Sequence, residues 1–347
     1  MGYLTKLFFL TFGLTFDVHT FNVPLVESKP NTSTIKGVSL GLPLDPRHPP
    51  NIFVDPSRQG QSSIPAGMLI FTWLWEVSRQ WAVLHPDVIY YSTHITNQIF
   101  PVIDIFIVPE TSKKGQLSTQ IFVWALLTAI HAVDLSSPDD DPESTKKDPY
   151  LVPSFTIIYQ DNVLGTFRTT MVSSTTNDSA IDIDPSLEQD ASLGISLDSE
   201  FTGQAMSMKG ILLIVWRLLR ELWAFQAQAT VGSRYGAGSR LEMTFPEMKN
   251  YVIMLALYDV GPPTNPVLWK DLVSAVTFAL LEPIKRNKWQ SCVSTLSKPG
   301  VQDFAKLAWC VPARPGGGCP GIDASDAAIT NTTQIKTSWA DQSDSTQ

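Results

Sequence analysis

The sequence predicts an α+β protein made of two similar two-layer domains, each an antiparallel or mixed sheet packed against two helices, arising by internal duplication. Three observations carry this prediction. The stretch GMLIFTWLWEV from Gly67 is echoed by GILLIVWRLLR from Gly210, which puts Trp73 and Trp216 in matching places. The strand and helix signals around the two phrases recur in the same order. Regular β-α-β alternation and a GxGxxG fingerprint are both missing, which argues against a doubly wound parallel sheet.

The chain opens on Lys6 followed by the apolar run Leu7 to Phe16, the charge and length of a secretory signal peptide, so residues 1–18 are assigned to one. The alternative is the first strand or a short helix of a cytoplasmic protein. Three sequons, at Asn31, Asn177 and Asn331, lie in polar surroundings and are candidate glycosylation sites of a secreted chain.

The first repeat is assigned to residues 19–133. Period-two alternation marks strands from His19 and Lys36, and the prolines at 49 and 50 mark a loop. A helix is predicted from Pro65 to Leu84, with a buried stripe through Leu69, Trp73, Val77 and Leu84. Strands follow from Val88 and Val102, and Leu117 to Val133 closes the unit as a helix. Residues 134–153 carry Asp139, Asp140, Asp141 and Glu143 among prolines and read as a solvated acidic linker. EF-hand spacing is absent there, so no calcium site is assigned.

The second repeat is assigned to residues 154–296. A hairpin is expected around Asp161-Asn162, between strands from Phe155 and Gly165, and a further strand from Leu193. The helix from Ser207 to Thr230 carries Ile211, Ile214, Leu218, Leu222 and Phe225 at core spacing, with Arg217, Arg220 and Glu221 on another face. Strands from Ser239 and Tyr251 and a helix from Leu268 to Leu281 complete it. Residues 297–347 read as a polar, partly disordered tail.

Composition narrows the function. The 347 residues are 44% hydrophobic and 17% charged, which is the balance of a globular protein with a core. The net charge of −8 comes without any basic run, so no nucleic-acid partner is expected. Glu76 and Arg217 interrupt the longest apolar runs, and no transmembrane anchor is expected. The cysteines are Cys292, Cys310 and Cys319; two of them can tie down the C-terminal segment, and the pairing is left open. No metal site or cofactor is expected, because CxxC pairs and HExxH are missing.

Catalytic candidates are Ser39, His85, Asp87 and His94. Ser39 lies in GVSLG, a literal GxSxG, but prolines follow where a nucleophile elbow needs a helix. His94 shares a strand with Ser92, and Asp87 orients a histidine only if the fold brings the two together. Ligand-binding candidates are Arg234, Tyr235 and Arg240 in the glycine-rich stretch VGSRYGAGSRLE, where guanidinium groups suit a carboxylate, sulfate or phosphate. Trp73 and Trp216 are candidates for an aromatic ligand platform, although a place in the core is the plainer reading. Together these features point to a secreted, non-catalytic interaction or carbohydrate-binding protein, its ligand an extracellular protein or carbohydrate held at the seam between halves or by the loop from Gly232. A serine- or histidine-dependent hydrolase and a self-assembling structural protein are the alternatives.

Overall fold

The computed structural model describes residues 51–83, 89, 91–97, 99–113, 116–134, 150–171, 194–245, 250–313 and 319–322. The expected signal peptide, the strands from His19 and Lys36, and the three sequon asparagines lie outside them.

The first half runs β1 (Ile52–Ile64), α1 (Ala66–Val83), β2 (Thr93–Thr96), β3 (Ile103–Pro109), α2 (Thr119–Asp134), β4 (Tyr150–Tyr159) and β5 (Asn162–Met171). The second runs β6 (Ser196–Ala205), α3 (Met208–Leu222), β7 (Arg240–Phe245), β8 (Tyr251–Leu257), α4 (Trp269–Ala279), α5 (Leu281–Arg286), β9 (Gln290–Lys298) and β10 (Gln302–Cys310). Each half forms a five-stranded antiparallel sheet, and the two orders, β1-β4-β5-β3-β2 and β6-β9-β10-β8-β7, are the same permutation. One α+β topology is therefore written twice, and the repeated phrase falls on α1 and α3.

The repeat has a different phase from the one expected. The hairpin β4–β5, assigned from sequence to the start of the second half, pairs with β1 and β3 and closes the first sheet. The acidic linker assigned to 134–153 ends in strand, since β4 begins at Tyr150. The halves divide between Met171 and Ser196. Residues 297–310, assigned to a polar tail, contain β10, the central strand of the second sheet, with Phe304, Leu307 and Trp309 fully buried.

Local chemistry accounts for the turns. Between β4 and β5, Gln160 and Asp161 both take left-handed φ of 49° and 60°, the twist a two-residue hairpin loop requires. Between β9 and β10, Pro299 and Gly300 are the central residues of a turn closed by Val301 N–H to Lys298 O at 3.0 Å, and Gly300 has φ of 78°. Proline first and glycine second is the type II pattern. Helix α3 starts at Ser207, whose hydroxyl accepts from Gly210 N–H at 3.0 Å. Pro283 lies in the first turn of α5, where its missing N–H costs nothing, so it does not stop the helical path at Leu281.

Each helix pair covers one face of its own sheet, and the two helical layers then pack on each other. The layers run sheet, helices, helices, sheet. Helix α1 is the shared member, buried continuously from Gly67 to Ser78. Trp73 faces its own sheet: Nε1–H donates to Thr169 Oγ1 at 2.9 Å, and the ring meets Phe155 and Phe167 edge-on at 5.8 and 6.2 Å. Its neighbours face the other half. Trp75 lies 4.8 Å from Phe278, Ser78 and Thr277 share a 3.2 Å hydrogen bond, and Trp81 Nε1–H donates to Trp223 O at 3.1 Å. Both opening glycines sit in close contact with a ring, most tightly Gly210. A Cβ on Gly67 would press on the Trp289 ring at 3.2 Å, and one on Gly210 would collide with the Tyr251 ring.

Candidate functional site

Residues that face away from the helices form rows across each sheet, because side chains alternate along a strand and register aligns them between strands. On the first sheet the rows are Phe53, Ile158 and Val163; then Asp55, Thr156, Thr166 and Val108; then His94, Phe106 and Arg168; then Thr96, Asp104 and Thr170. Phe53, Val108 and Val163 are 56%, 47% and 41% exposed. The His94 ring stacks on Phe106 with centroids 4.8 Å apart and planes 10° from parallel, and the Arg168 guanidinium lies 5.2 Å from the Phe106 centroid. Three planar groups thus stand side by side across β2, β3 and β5.

The equivalent face of the second sheet is closed. Its middle row, Met254, Ala308 and Val293, is covered by residues 319–322. A disulfide between Cys310, at the end of β10, and Cys319 returns the chain over the sheet. Cys319 N–H points at Met254 Sδ at 3.0 Å, Ile322 packs into the same apolar cluster, and Gly321, with φ of 84°, lies directly over Val293. Cys292 is the free cysteine, buried beside Ser294; burial pushes its thiol up to about 11, partly offset by the Ser294 and Ser199 hydroxyls.

His94 does find an acidic partner. Its Nε2 meets Asp104 Oδ2 at 3.0 Å and Thr96 Oγ1 at 3.3 Å, so carboxylate and hydroxyl crowd one ring nitrogen. A relay needs the acid on one nitrogen and the nucleophile on the other, and this arrangement lacks it. Asp104 is buried, with Oδ1 lacking a hydrogen-bond partner among the described residues, and it holds the imidazole in place against Phe106. The other catalytic candidates, Ser39, His85 and Asp87, lie outside the described residues. Among the described residues, no group of three His, Cys, Asp or Glu side chains is placed to hold a metal ion, and no helix is long and apolar enough to cross a membrane.

The tryptophan platform is corrected by burial. Trp73 is fully enclosed and Trp216 is 6% exposed beneath the Arg220 guanidinium, 5.0 Å from its ring, so neither offers a face to a ligand in solution. Among the described residues, apolar side chains of both halves pack into one continuous cluster. Burial pulls the Arg220 guanidinium down, Glu221 raises it and Arg217 lowers it further. Glu76, buried on α1, is held by two hydrogen bonds from Arg79, at 2.9 and 2.7 Å, and by Gln80 at 2.6 Å.

The glycine-rich stretch keeps two of its three candidates at the surface. Arg240 pairs with Glu242 at 2.8 Å and touches Met254 Sδ, which occupies its charge within the sheet. Arg234 is exposed, with its guanidinium 5.3 Å from the Phe225 centroid, and the Phe225 ring stacks on Trp269 at 4.0 Å and 13°. Tyr235 meets both rings edge-on at 6.1 and 5.7 Å. Sequence reasoning singled out Arg234 and Tyr235 but missed Phe225 and Trp269 beneath them. It also missed Asp104, Phe106 and Arg168 beside His94. Alternation in VIDIFIV does put Asp104 and Phe106 on one face; only strand register puts that face beside His94 and Arg168.

Compared with known proteins, the chain matches no family model, no curated protein and no solved structure.

Proposed function

We propose that this is a secreted, non-catalytic binding protein that engages a carbohydrate or an extracellular protein through the outer face of its first sheet. The observation that carries this is the difference between the two copies of one fold. The second sheet has its apolar outer face closed by a disulfide-tied segment, while the first leaves Phe53, Val108 and Val163 exposed beside the stacked row of His94, Phe106 and Arg168. Exposed apolar and planar groups among threonine hydroxyls suit a ligand with both flat apolar faces and hydrogen-bonding groups. Secretion is supported by the Cys310–Cys319 disulfide, which persists in oxidising compartments, and by the N-terminal charge and apolar run.

Purified protein screened against arrays of polysaccharides and extracellular proteins should show a saturable ligand. Phe106→Ala combined with Arg168→Ala should weaken it at least about tenfold, the loss expected for a stacked ring and a charged donor together, with an unchanged circular-dichroism spectrum. Equal binding by the double variant, or no ligand on either array, overturns the reading. Self-assembly is the second reading, favoured by the same three exposed apolar side chains. Light scattering separates them, since a monomer at every concentration excludes self-assembly.

A further inference from the structure

We propose a second site, separate from the open sheet face: an oxyanion-binding site formed by Arg234 and Tyr235 on the Phe225–Trp269 aromatic column. Its ligand is a carboxylate, sulfate ester or phosphate monoester, groups that share two oxygens in the spacing a guanidinium fork recognises.

The guanidinium rests against an ordered aromatic column. Trp269 is buried at the first position of α4, Phe225 stacks on it, and Arg234 lies over the outer face of Phe225. The loop beneath is tied to the start of α4 by backbone bonds on both sides: Lys270 N–H to Ala227 O at 3.0 Å, Trp269 N–H to Ala229 O at 3.1 Å, and Val231 N–H to Val267 O at 2.8 Å. Tyr235 N–H to Val231 O, at 3.0 Å, continues this anchoring to the site itself. The loop backbone is therefore ordered before an anion docks, which lowers the entropy cost of binding.

The charge of the site is unspent. Arg234 makes no ion pair and the Tyr235 hydroxyl no hydrogen bond among the described residues, whereas Arg79, Arg240 and Arg286 are each paired with a glutamate. No acidic residue occurs between Glu221 and Glu242, in a protein whose net charge is −8. Asp259, which precedes Val260 beside Gly232, is an exposed acid whose Oδ1 accepts from Val260 N–H at 2.7 Å and Gly261 N–H at 3.0 Å. An exposed guanidinium over an aromatic ring, with an adjacent phenol and in a stretch without acidic residues, is complementary to an anion.

The test follows the side-chain Nε–Hε resonances of the arginines by NMR at low ionic strength, while sodium sulfate, sodium phosphate and sodium glucuronate are titrated separately. One resonance, removed by Arg234→Lys, should shift saturably with at least one anion, and comparison of the three arms names the preferred group. Monitored instead through the Tyr235 amide, Arg234→Lys should weaken binding about tenfold, because lysine keeps the charge and loses the fork. Tyr235→Phe should weaken it by a smaller factor. Arg286→Ala, which removes a guanidinium lying 5.5 Å from the Phe201 ring and already paired with Glu282, should leave it unchanged. Shifts that spread over all arginines without saturating, or equal affinity in Arg234→Lys, overturn the site. Neither result bears on the first-sheet face, which is read by its own variants.

Discussion

Truncating Trp73 to alanine tests the layered architecture at its centre. The indole is fully buried, donates to Thr169 Oγ1 at 2.9 Å, and meets Phe155 and Phe167 edge-on. Removing a large aromatic from a core costs about 3–5 kcal/mol in lost transfer energy and residual cavity. Thr169, itself buried, then loses its donor, which adds about 1 kcal/mol. The expected loss is therefore about 4–6 kcal/mol, comparable to the whole stability of many domains, about 5–15 kcal/mol. Trp73→Phe keeps most of the ring volume and should cost about 1–3 kcal/mol. The assay is urea unfolding followed by far-ultraviolet circular dichroism, with wild type, Trp73→Phe and Trp73→Ala under one buffer. Because α1 packs on both helical layers, the loss should appear as a shift of one cooperative transition. A Trp73→Ala loss below about 1 kcal/mol would show that the ring is not in the core. Two separate transitions, with only one displaced, would show that the halves do not share α1 as their common buried element.

Cys319→Ser should free the segment over the second sheet and cost about 2–3 kcal/mol, the loop-closure entropy of a short crosslinked ring; fluorescence of a hydrophobic dye should rise as Met254, Ala308 and Val293 are uncovered, and an unchanged signal would mean that the cover holds without its crosslink. Cys292 should resist alkylation by iodoacetamide until the protein unfolds, because its folded thiol titrates at about 11 against 9.0 for the ordinary group. The raised value makes its contribution fully present below pH 9 and lost as pH rises towards 11, where the unfolded thiolate forms first; urea midpoints at pH 8 and 11 should therefore fall less in Cys292→Ala than in wild type, and parallel falls would refute it.

Much of the fold was legible because it is written in local periodicity. The α1 phrase has the length and apolar density of a buried helix, and its expected span differs from Ala66–Val83 by about one residue at either end. The hairpin expected around Asp161-Asn162 was also visible, although its two left-handed loop residues are Gln160 and Asp161, one position earlier. What misled was the assignment of hairpins to halves. The acidic residues after Asp134 look like a domain boundary, but charge content marks solvation and says nothing about which sheet the next strand joins. Strand β10 was lost for a related reason. QDFAKLAWC carries its apolar residues next to a turn and a polar terminus, and its central place comes from pairing with both β8 and β9.

The candidate sites divide in the same way. Arg234 and Tyr235 stood out as charge and aromaticity in a glycine-rich stretch, yet the column that orients them joins Phe225 and Trp269 from opposite sides of an intervening hairpin. His94 stood out as a histidine on a strand, and its carboxylate partner, Asp104, comes from the neighbouring strand.

By itself the sequence determined the α+β class, the duplication and the buried fate of the repeated helices, because each depends on contacts within one segment or on apolar surface that must leave water. Tertiary structure alone decided which hairpin completes which sheet, which outer face is closed by Cys310 and Cys319, and which polar groups stand together at the surface. Those outcomes depend on register and on pairings between residues far apart in the chain, and local propensity is blind to both.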